Sequence, residues 1–231
     1  MSKIVVTGAD GRFAKELINY TSKKKFIFLN KKKLNILKLN SIIKAINKFK
    51  PKAILHLAGL SRPMKLHEKE IIKSINLNII GTSNIVVACK LKNVKLIYFS
   101  TSYVYPGIKG NYKETDALLP WSNYGWSKLG GECAAQMYKN SLIIRACMTE
   151  KPFLHKEAYA NVKSNFIFHS EFIKIFLKIL NKKGIFNIGG KSQTIFNFAK
   201  KFNTNLKKKY SKGEFPYRQD MNLNKFYKAV K

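Results

Sequence analysis

Short apolar runs alternate with longer amphipathic segments over the first 147 residues of the chain. The runs read "KIVVTG", "FIFLN", "AILHLAG", "VKLIYFSTS" and "SLIIRA", and each is apolar throughout instead of alternating with polar residues. Such runs are typical of strands in a parallel sheet whose two faces are both covered. The segments between them predict helices: "RFAKELINYTSKK", "NSIIKAINKFK", the long "HEKEIIKSINLNIIGTSNIVVACKLK" and a helix that carries "NYGWSKLGGE". This alternation predicts an α/β fold, a doubly wound parallel sheet with right-handed crossovers.

From about residue 148 the rhythm changes. An irregular stretch precedes an amphipathic helix, "SEFIKIFLKILNKK", a short strand, "GIFNIGG", and another helix, "TIFNFAKKFN". The tail is lysine-rich and ends in a last short helix. We therefore expect a sheet domain over residues 1–147 and a small, truncated second lobe over 148–231.

The composition limits the cellular setting. No long uninterrupted apolar run is present, so we expect no transmembrane span. "MSKIVVTG" leads directly into a strand, which disfavours a secretory signal. Cys89, Cys133 and Cys147 show neither paired nor metal-like spacing, which predicts reduced thiols in or near the core of a cytoplasmic protein. No cluster of His, Cys, Asp and Glu suggests a metal site.

The net charge of +32, from 44 basic and 12 acidic residues, has two interpretations. One is a nucleic-acid or anionic-membrane partner. The other is compositional: 40 of the basic residues are lysines, and lysine, asparagine, isoleucine and phenylalanine all have A/T-rich codons. The lysines are spread along the chain without an RNA-binding aromatic motif or zinc knuckle, which favours the second interpretation. We expect no specific nucleic-acid partner, although an anionic ligand would be attracted.

"VVTGADGRFA" follows the first strand and opens the first helix. In that position Gly8 and Gly11 allow a tight turn and a close approach of the backbone to a pyrophosphate, and Ala14 keeps the helix close to the strand. A purely structural turn explains such a stretch equally well when it is taken alone. As a phosphate-binding turn, it predicts a Rossmann-type fold with a dinucleotide bound. Its predicted cofactor contacts are Gly8, Asp10, Gly11, Arg12 and Phe13.

The end of the second strand distinguishes NAD from NADP. An acidic residue there binds the ribose hydroxyls of NAD and repels a 2′-phosphate. Here the strand ends in Asn30, followed by Lys31, Lys32 and Lys33. We expect NADP(H) to be preferred, with NAD(H) as the alternative. Because lysine is common throughout the chain, the missing acid counts for more than the three lysines.

Several further stretches follow in one order: "HLAG", "NIIGT", "YFSTSYVYPG", "YKETDALLPWSNYGWSKLGGE" and "LIIR". With "TGADGRFA" they resemble the extended short-chain dehydrogenase/reductases that act on nucleotide sugars, and most closely the dTDP-4-dehydrorhamnose reductase group. The resemblance covers residues 3–147 and is fainter in "GIFNIGGKSQTIFNFAKK" and "MNLNKF". It implies an NAD(P)-binding domain over 1–147 and a substrate-binding lobe over 148–231.

The resemblance also implies residue roles. Thr101 matches the hydroxyl that binds the reacting oxygen of the substrate, with Ser102 as the weaker candidate. Tyr124 matches the catalytic acid/base. Lys128 matches the lysine that holds the nicotinamide ribose and lowers the pKa of the tyrosine. Both Tyr124 and Lys128 are therefore also expected cofactor contacts.

Three other positions match cofactor-lining residues of the family: Ala58 and Gly59 in "HLAG", and Asn78 in "NIIGT". His56 is interpreted as a satisfied core residue. Arg62 and His155 are candidate substrate contacts, and Arg145 is either structural or part of the substrate cleft.

The implied activity is NADP-dependent reduction of a nucleotide-linked 4-keto-6-deoxy sugar, in polysaccharide biosynthesis. Three alternatives remain: a nucleotide-sugar epimerase or dehydratase, a non-catalytic NADP-binding regulatory protein like the regulatory subunit of some methionine adenosyltransferases, and a nucleic-acid-binding protein. A nucleotide sugar is the expected partner, and a homodimer is a candidate assembly.

Overall fold

The computed structural model describes residues 3–22 and 24–230. The chain forms two compact units, and each is assembled from separate stretches of sequence. The first comprises Met1–Ser100, Ser122–Ile144 and Leu180–Ile185, and the second comprises Thr101–Trp121, Arg145–Ile179 and Phe186–Lys231. The functional boundary expected after residue 147 remains a prediction.

Six strands form the main sheet, in the order β2-β1-β3-β4-β5-β8. Their bounds are β1 Ile4–Thr7, β2 Phe26–Leu29, β3 Ala53–His56, β4 Lys95–Thr101, β5 Ser141–Ala146 and β8 Gly184–Ile188. Strand β1 pairs in parallel with β2 and with β3, and β3 pairs in parallel with β4. The prediction of an α/β fold with a parallel sheet is confirmed. All residues of β1, β3 and β5 are buried, as expected for strands covered on both faces.

The helices of the first unit begin close to the predicted residues but differ in length. They are α1 Arg12–Ile18, α2 Leu39–Phe49, α3 Leu66–Lys69, α4 Ile71–Ser74, a π-helical segment Ile75–Ile80, α5 Gly81–Leu91 and α6 Asn123–Gln136. The first predicted helix was too long, and it also ran through Lys23, which lies outside the described residues. The Thr21 hydroxyl donates to the Leu17 carbonyl at 2.9 Å and so takes the acceptor that a continuing helix would use.

The long helix predicted over residues 67–92 is interrupted. Glu70 has a non-helical backbone, with φ −121° and ψ 60°, and separates α3 from α4. The π-helical segment then precedes α5. Such segments occur often at functional sites, and this one carries Asn78.

The core of the first unit lies between the sheet and helices α2, α5 and α6. Its fully buried members include Val5, Ile42, Ile54, Ile85 and Leu96. Each such side chain stabilises the fold by about 1.5–3 kcal/mol through burial. The helix α2 ends at Phe49, and its C-cap, Lys50, adopts a left-handed conformation directly before Pro51.

The second unit contains short elements that the sequence pattern did not predict. Strand β6 (Glu157–Tyr159) pairs in parallel with β10 (Lys207–Lys209), and β7 (Lys163–Ser164) pairs antiparallel with β9 (Gln193–Thr194). Its helices are α7 His169–Phe176, α8 Ile195–Lys200 and α9 Asn224–Val230. Its core is rich in phenylalanine, including Phe168, Phe196 and Phe198.

The stretch Ile71–Leu91 is long and apolar enough to cross a membrane by length and composition alone, a test that core helices also pass. Its buried face includes Ser74, Asn78 and Thr82. The π-helical part packs on α6, and α5 packs on α2 and α6. One face of the stretch is therefore packed inside the first unit, while its opposite face is exposed.

The three cysteines are free thiols. Cys89 and Cys147 are buried, as predicted, and burial raises the pKa of Cys89 to about 12. Cys133 is exposed on α6, so its expected place in or near the core was wrong. The turn of α6 that buries the neighbouring Glu132 leaves Cys133 on the outer face of the helix.

Two adjacent glycines on α6 differ in what surrounds them. A Cβ on Gly131 would lie 2.5 Å from the Asn78 carbonyl oxygen and 2.8 Å from the Tyr98 hydroxyl. A Cβ on Gly130 would meet the end of the Ile79 side chain at 2.8 Å, and that side chain can move.

We therefore expect Gly131→Ala to lower the free energy of unfolding by about 1–3 kcal/mol through overpacking. Gly130→Ala is the matched control. It should be near neutral, because the gain in helix propensity of about 1 kcal/mol offsets the adjustment of Ile79. Urea unfolding followed by circular dichroism measures both, and equal losses would contradict the assigned role of Gly131.

Candidate active site

The glycine turn after β1 lies directly against the backbone that follows β3. Gly8 has φ +71°, and a Cβ there would lie 2.7 Å from the Cα of Ala58, so only glycine fits. The Gly11 N–H donates to the Gly8 carbonyl at 2.9 Å, and the Ala9 N–H donates to the carbonyl of Leu29 at 3.2 Å. The ends of β1, β2 and β3 thus meet at one place. In the strand order β2-β1-β3, this is the switch point where doubly wound sheets bind ligands.

A buried hydrogen-bond chain supports this turn. Thr7 Oγ1 accepts the N–H groups of Leu57 and Ala58, at 3.2 and 3.1 Å. Because both lone pairs of Thr7 Oγ1 are used in this way, its hydroxyl donates to His56 Nδ1 at 2.9 Å. The other ring nitrogen, His56 Nε2, then donates to Thr82 Oγ1 at 3.1 Å. Burial, with a smaller effect of Lys128, lowers the pKa of His56 to about 3. The interpretation of His56 as a satisfied core residue is confirmed.

Asn78 joins the "HLAG" loop to α6. Its Oδ1 accepts the Leu60 N–H at 2.7 Å, and its Nδ2 donates to the Leu60 carbonyl at 2.9 Å and to Ser127 Oγ at 2.8 Å. A Cβ on Gly59 would lie 2.8 Å from Asn78 Oδ1. The buried amide therefore holds the loop in place, while direct contact with a cofactor remains a prediction.

Tyr124 lies in the first turn of α6. Ser122 caps the helix by accepting the Gly125 N–H at 3.3 Å, and the Ser127 hydroxyl donates to the Tyr124 carbonyl at 2.8 Å. The ring of His67 packs edge-on against the Tyr124 ring, with 5.1 Å between centroids. His67 and Ser127 thus fix the start of the helix from two sides.

Lys128 lies one turn after Tyr124, and its ammonium is held over an aromatic face. Its Nζ is 4.3 Å from the centroid of the Tyr98 ring, and the Tyr98 hydroxyl donates to the Lys128 carbonyl at 2.9 Å. Burial lowers the pKa of Lys128 to about 7, and the Glu132 carboxylate acts in the opposite direction. The amine therefore titrates near neutral pH.

The other predicted cofactor contacts lie around the glycine turn and the end of β2. Asp10, Gly11 and Arg12 are exposed, whereas Phe13 is buried and packs on Phe99 with 5.2 Å between centroids. At the end of β2, Asn30 Oδ1 accepts the Lys33 N–H at 3.3 Å, and Lys31, Lys32 and Lys33 are exposed.

Thr101 belongs to the second unit, whereas Tyr124 and Lys128 belong to the first. It is buried, and its Oγ1 accepts the Tyr103 N–H at 3.3 Å, which caps the 3-10 turn Ser102–Val104. Ser102 is buried as well. Thr101 thus has a structural contact of its own, and its role toward a substrate stays a prediction.

Arg145 also belongs to the second unit and is buried there. It donates to the Tyr105 hydroxyl at 2.7 Å and to the Glu114 carbonyl at 3.0 Å. These contacts support the structural alternative for this residue. Arg62 and His155 are exposed, and their role as substrate contacts stays a prediction.

Sequence reasoning missed five residues at the site: Thr7, His67, Tyr98, Ser127 and Glu132. Thr7, His67 and Tyr98 lie on other elements and act through spatial contacts that a linear motif does not reveal. Ser127 and Glu132 carried a signal in their spacing, since they lie three and eight positions after Tyr124 on one helix. Among the residues that the structure describes, no group of three or more His, Cys, Asp or Glu could hold a metal ion.

Comparison with known proteins adds relatives of two kinds. Over 154 residues the chain is 29% identical to a dTDP-4-dehydrorhamnose reductase of Aggregatibacter actinomycetemcomitans, a match that covers 64% of this chain and 52% of that protein. Over 124 residues it is 32% identical to methionine adenosyltransferase 2 subunit beta of Pongo abelii, covering 54% of this chain and 36% of that protein. The chain spans about half, or less, of the length of these curated relatives.

Among solved structures, dTDP-4-dehydrorhamnose reductase from Bacillus anthracis in complex with NADP is similar, with a TM-score of 0.87 at 21% identity. The match covers 98% of this chain and 92% of that chain and shows the shared fold. The family model described as RmlD substrate binding domain matches residues 2–150, which is more than half of the sequence. The chain belongs to this family.

Proposed function

We propose that the protein reduces the keto group of a nucleotide-linked sugar, of the 4-keto-6-deoxy class, with NADPH as the reductant. The observation that carries the proposal is the pair on α6, Tyr124 and, one turn later, Lys128 with its ammonium against the Tyr98 ring. Family membership and the similarity to a dTDP-4-dehydrorhamnose reductase support the same activity. The proposed setting is polysaccharide synthesis in the cytoplasm.

Tyr124 supplies the proton in this proposal. Bound NADPH supplies the hydride to the carbonyl carbon, and the phenol donates its proton to the carbonyl oxygen. A tyrosine with an ordinary pKa of about 10 is poorly matched to proton transfer at neutral pH. A positive charge at Lys128 stabilises the phenolate that remains, and so makes Tyr124 a better acid.

The residues at the ends of β1 and β2 fit NADP(H). Gly8 lets the turn after β1 lie against the backbone at Ala58, at the switch point where doubly wound sheets bind ligands. Asn30 carries no charge to repel a 2′-phosphate, and the neighbouring exposed lysines attract one. We propose NADP(H) as the preferred cofactor, and NAD(H) as the weaker one.

Thr101 is proposed to bind the reacting oxygen, as the family resemblance implies. Its Oγ1 accepts the Tyr103 N–H, so its hydroxyl hydrogen remains available for donation. A donor aimed at a developing oxyanion stabilises the transition state. The nucleotide of the proposed substrate is dTDP, by similarity to the reductase relative.

The second candidate is a non-catalytic, cofactor-binding regulatory protein. The similarity to methionine adenosyltransferase 2 subunit beta favours it. The presence of Thr101, Tyr124 and Lys128 together favours catalysis instead. A nucleotide-sugar epimerase or dehydratase is disfavoured by Asn30, because those enzymes generally retain NAD and an acidic residue suits that cofactor.

A homodimer is the proposed assembly, formed through the outer face of the helix 71–91. This face carries large exposed apolar side chains, and Trp126 on α6 and Met137 directly after it are exposed as well. The exposed apolar residues on the helix 71–91 are Ile71, Ile72, Ile75, Ile80, Val87 and Leu91. In a chain of net charge +32, a mostly uncharged stripe is the surface on which a second copy meets the least repulsion.

Tyr124→Phe should lower the rate of NADPH oxidation with a dTDP-4-keto-6-deoxy sugar by about 10²-fold or more, because the proton donor is lost. NADPH binding, measured by fluorescence titration, should be retained. Tyr227→Phe, which removes a hydroxyl from an exposed tyrosine of α9, is the control. A wild-type protein that binds NADPH but oxidises none across a panel of keto sugars would support the regulatory candidate.

Asn30→Asp should weaken NADPH binding by about tenfold or more, because the new carboxylate repels the 2′-phosphate and favours ribose hydroxyls instead. NADH binding should be unchanged or tighter. The exposed Asn40→Asp makes the same charge change away from β2 and should leave both affinities unaltered. If the wild type binds NADH more tightly than NADPH, the cofactor assignment is wrong.

Ile72→Glu should shift the protein from dimer to monomer in size-exclusion chromatography with light scattering, since it places a charge in the proposed interface. Ile108→Glu is matched to it, because the two isoleucines are 77% and 79% exposed and Ile108 lies in the second unit. That variant should remain dimeric. A monomeric wild type would refute the assembly.

A further inference from the structure

Glu132 is a buried carboxylate one turn after Lys128 on the same helix. It is 0% exposed, yet both of its oxygens have donors. The Ser100 hydroxyl donates to Oε2, and Gln136 Nε2 donates to Oε1 at 3.0 Å. The two hydrogen bonds hold the carboxyl group of Glu132 in one position inside the first unit. A nearby cation stabilises a buried carboxylate, and Lys128 precedes Glu132 by one turn on the same helix.

We propose that Glu132 is a positioning residue that keeps Lys128 protonated and fixed against Tyr98, so that Lys128 can act on Tyr124. This inference rests on the proposed function for its consequence in catalysis. The link between the two charges is a property of the chain itself and can be measured without a substrate.

The surroundings of Lys128 offer little else to hold a positive charge. Tyr98, on β4, presents its ring to the ammonium, and burial raises its pKa well above the usual value, so it stays neutral. His56, on β3, and His67, on α3, both have pKa values lowered by burial and are neutral at pH 7. Among the described residues, Glu132 is the group that raises the pKa of Lys128.

The need for this carboxylate follows from the titration of the lysine. Burial lowers the pKa of Lys128 to about 7 even with Glu132 in place, so burial already works against the charged form of the amine. Loss of the carboxylate leaves burial unopposed, and the neutral amine then predominates. A neutral amine cannot stabilise a phenolate by charge.

Two anchors hold the carboxylate where it can act. Ser100 lies on β4, two residues after Tyr98, and Gln136 lies one turn further along α6. The same strand therefore supplies the ring beneath Lys128 and a donor to Glu132. Residues 128, 132 and 136 follow one another at helical spacing on a single face.

The test is a direct titration of Lys128. Competitive acetylation from pH 5 to 10, with the Lys128 peptide quantified by mass spectrometry, gives the pH at which the amine becomes reactive. Glu132→Gln preserves the size of the side chain and removes its charge, and it should lower that midpoint by about one pH unit or more. Glu171→Gln removes an exposed carboxylate on α7 and should leave it unchanged. Equal midpoints in Glu132→Gln and wild type would overturn the proposal.

Two further variants separate charge from structure. Glu132→Asp retains the charge and should restore the midpoint at least in part, whereas a purely packing role predicts that Asp behaves as Gln does. If Glu132→Gln fails to fold, the double variant Lys128→Met with Glu132→Gln should fold again, because neither charge is then left without the other. Failure of the double variant as well would overturn the coupling.

Turnover gives an independent readout. In Glu132→Gln the alkaline limb of the pH profile for NADPH oxidation should move to lower pH by the same amount as the Lys128 midpoint. A shifted midpoint with no turnover by any keto sugar supports the coupling and refutes the proposed reductase. Turnover with an unshifted Lys128 midpoint supports the proposed reductase and refutes the coupling between Glu132 and Lys128.

Discussion

Gly131 allows the backbone of α6 to lie against the Asn78 carbonyl and the Tyr98 hydroxyl, and much of the candidate site depends on that approach. Once the two helices are this close, Ser127 reaches the Asn78 amide at 2.8 Å, and Lys128 lies over the Tyr98 ring. A side chain in place of the glycine hydrogen would separate the helices and break these contacts together. The geometry of the Tyr124–Lys128 pair is thus set by the packing beneath it.

The polar groups under the glycine turn form a connected network instead of isolated contacts. Thr7, His56 and Thr82 link β1, β3 and α5, and the neutral imidazole in the middle has a partner on each nitrogen. Satisfied buried networks are rigid, because each group would lose a partner on moving. A rigid support suits the phosphate-binding role that we propose for this turn. The neighbouring His67 differs, since its Nδ1 lies 2.7 Å from the Ser74 hydroxyl while its Nε2 is buried without a hydrogen-bond partner among the described residues.

Periodicity predicted the strands well because each is apolar over its whole length, as "AILH" and "SLIIRA" are. It failed where local chemistry overrides the pattern: the helix break at Glu70 and the early end of α1 at Ile18 depend on single backbone angles and one threonine hydroxyl. The short strands of the second unit were missed because runs such as "KKK" carry no apolar signal. Glu132 and Cys133 show the same limit in the site, since the sequence does not reveal which of two adjacent residues on a helix is buried.

The exposure of Cys133 has a practical consequence for spectroscopy. The other two thiols are buried, and burial raises the pKa of each, so a thiol-directed fluorophore at mild pH would react at α6 first. The attached dye would lie on the same helix as Tyr124 and Lys128, immediately after Glu132. The native chain therefore offers a single-site reporter for ligand titrations, without any cysteine being added or removed.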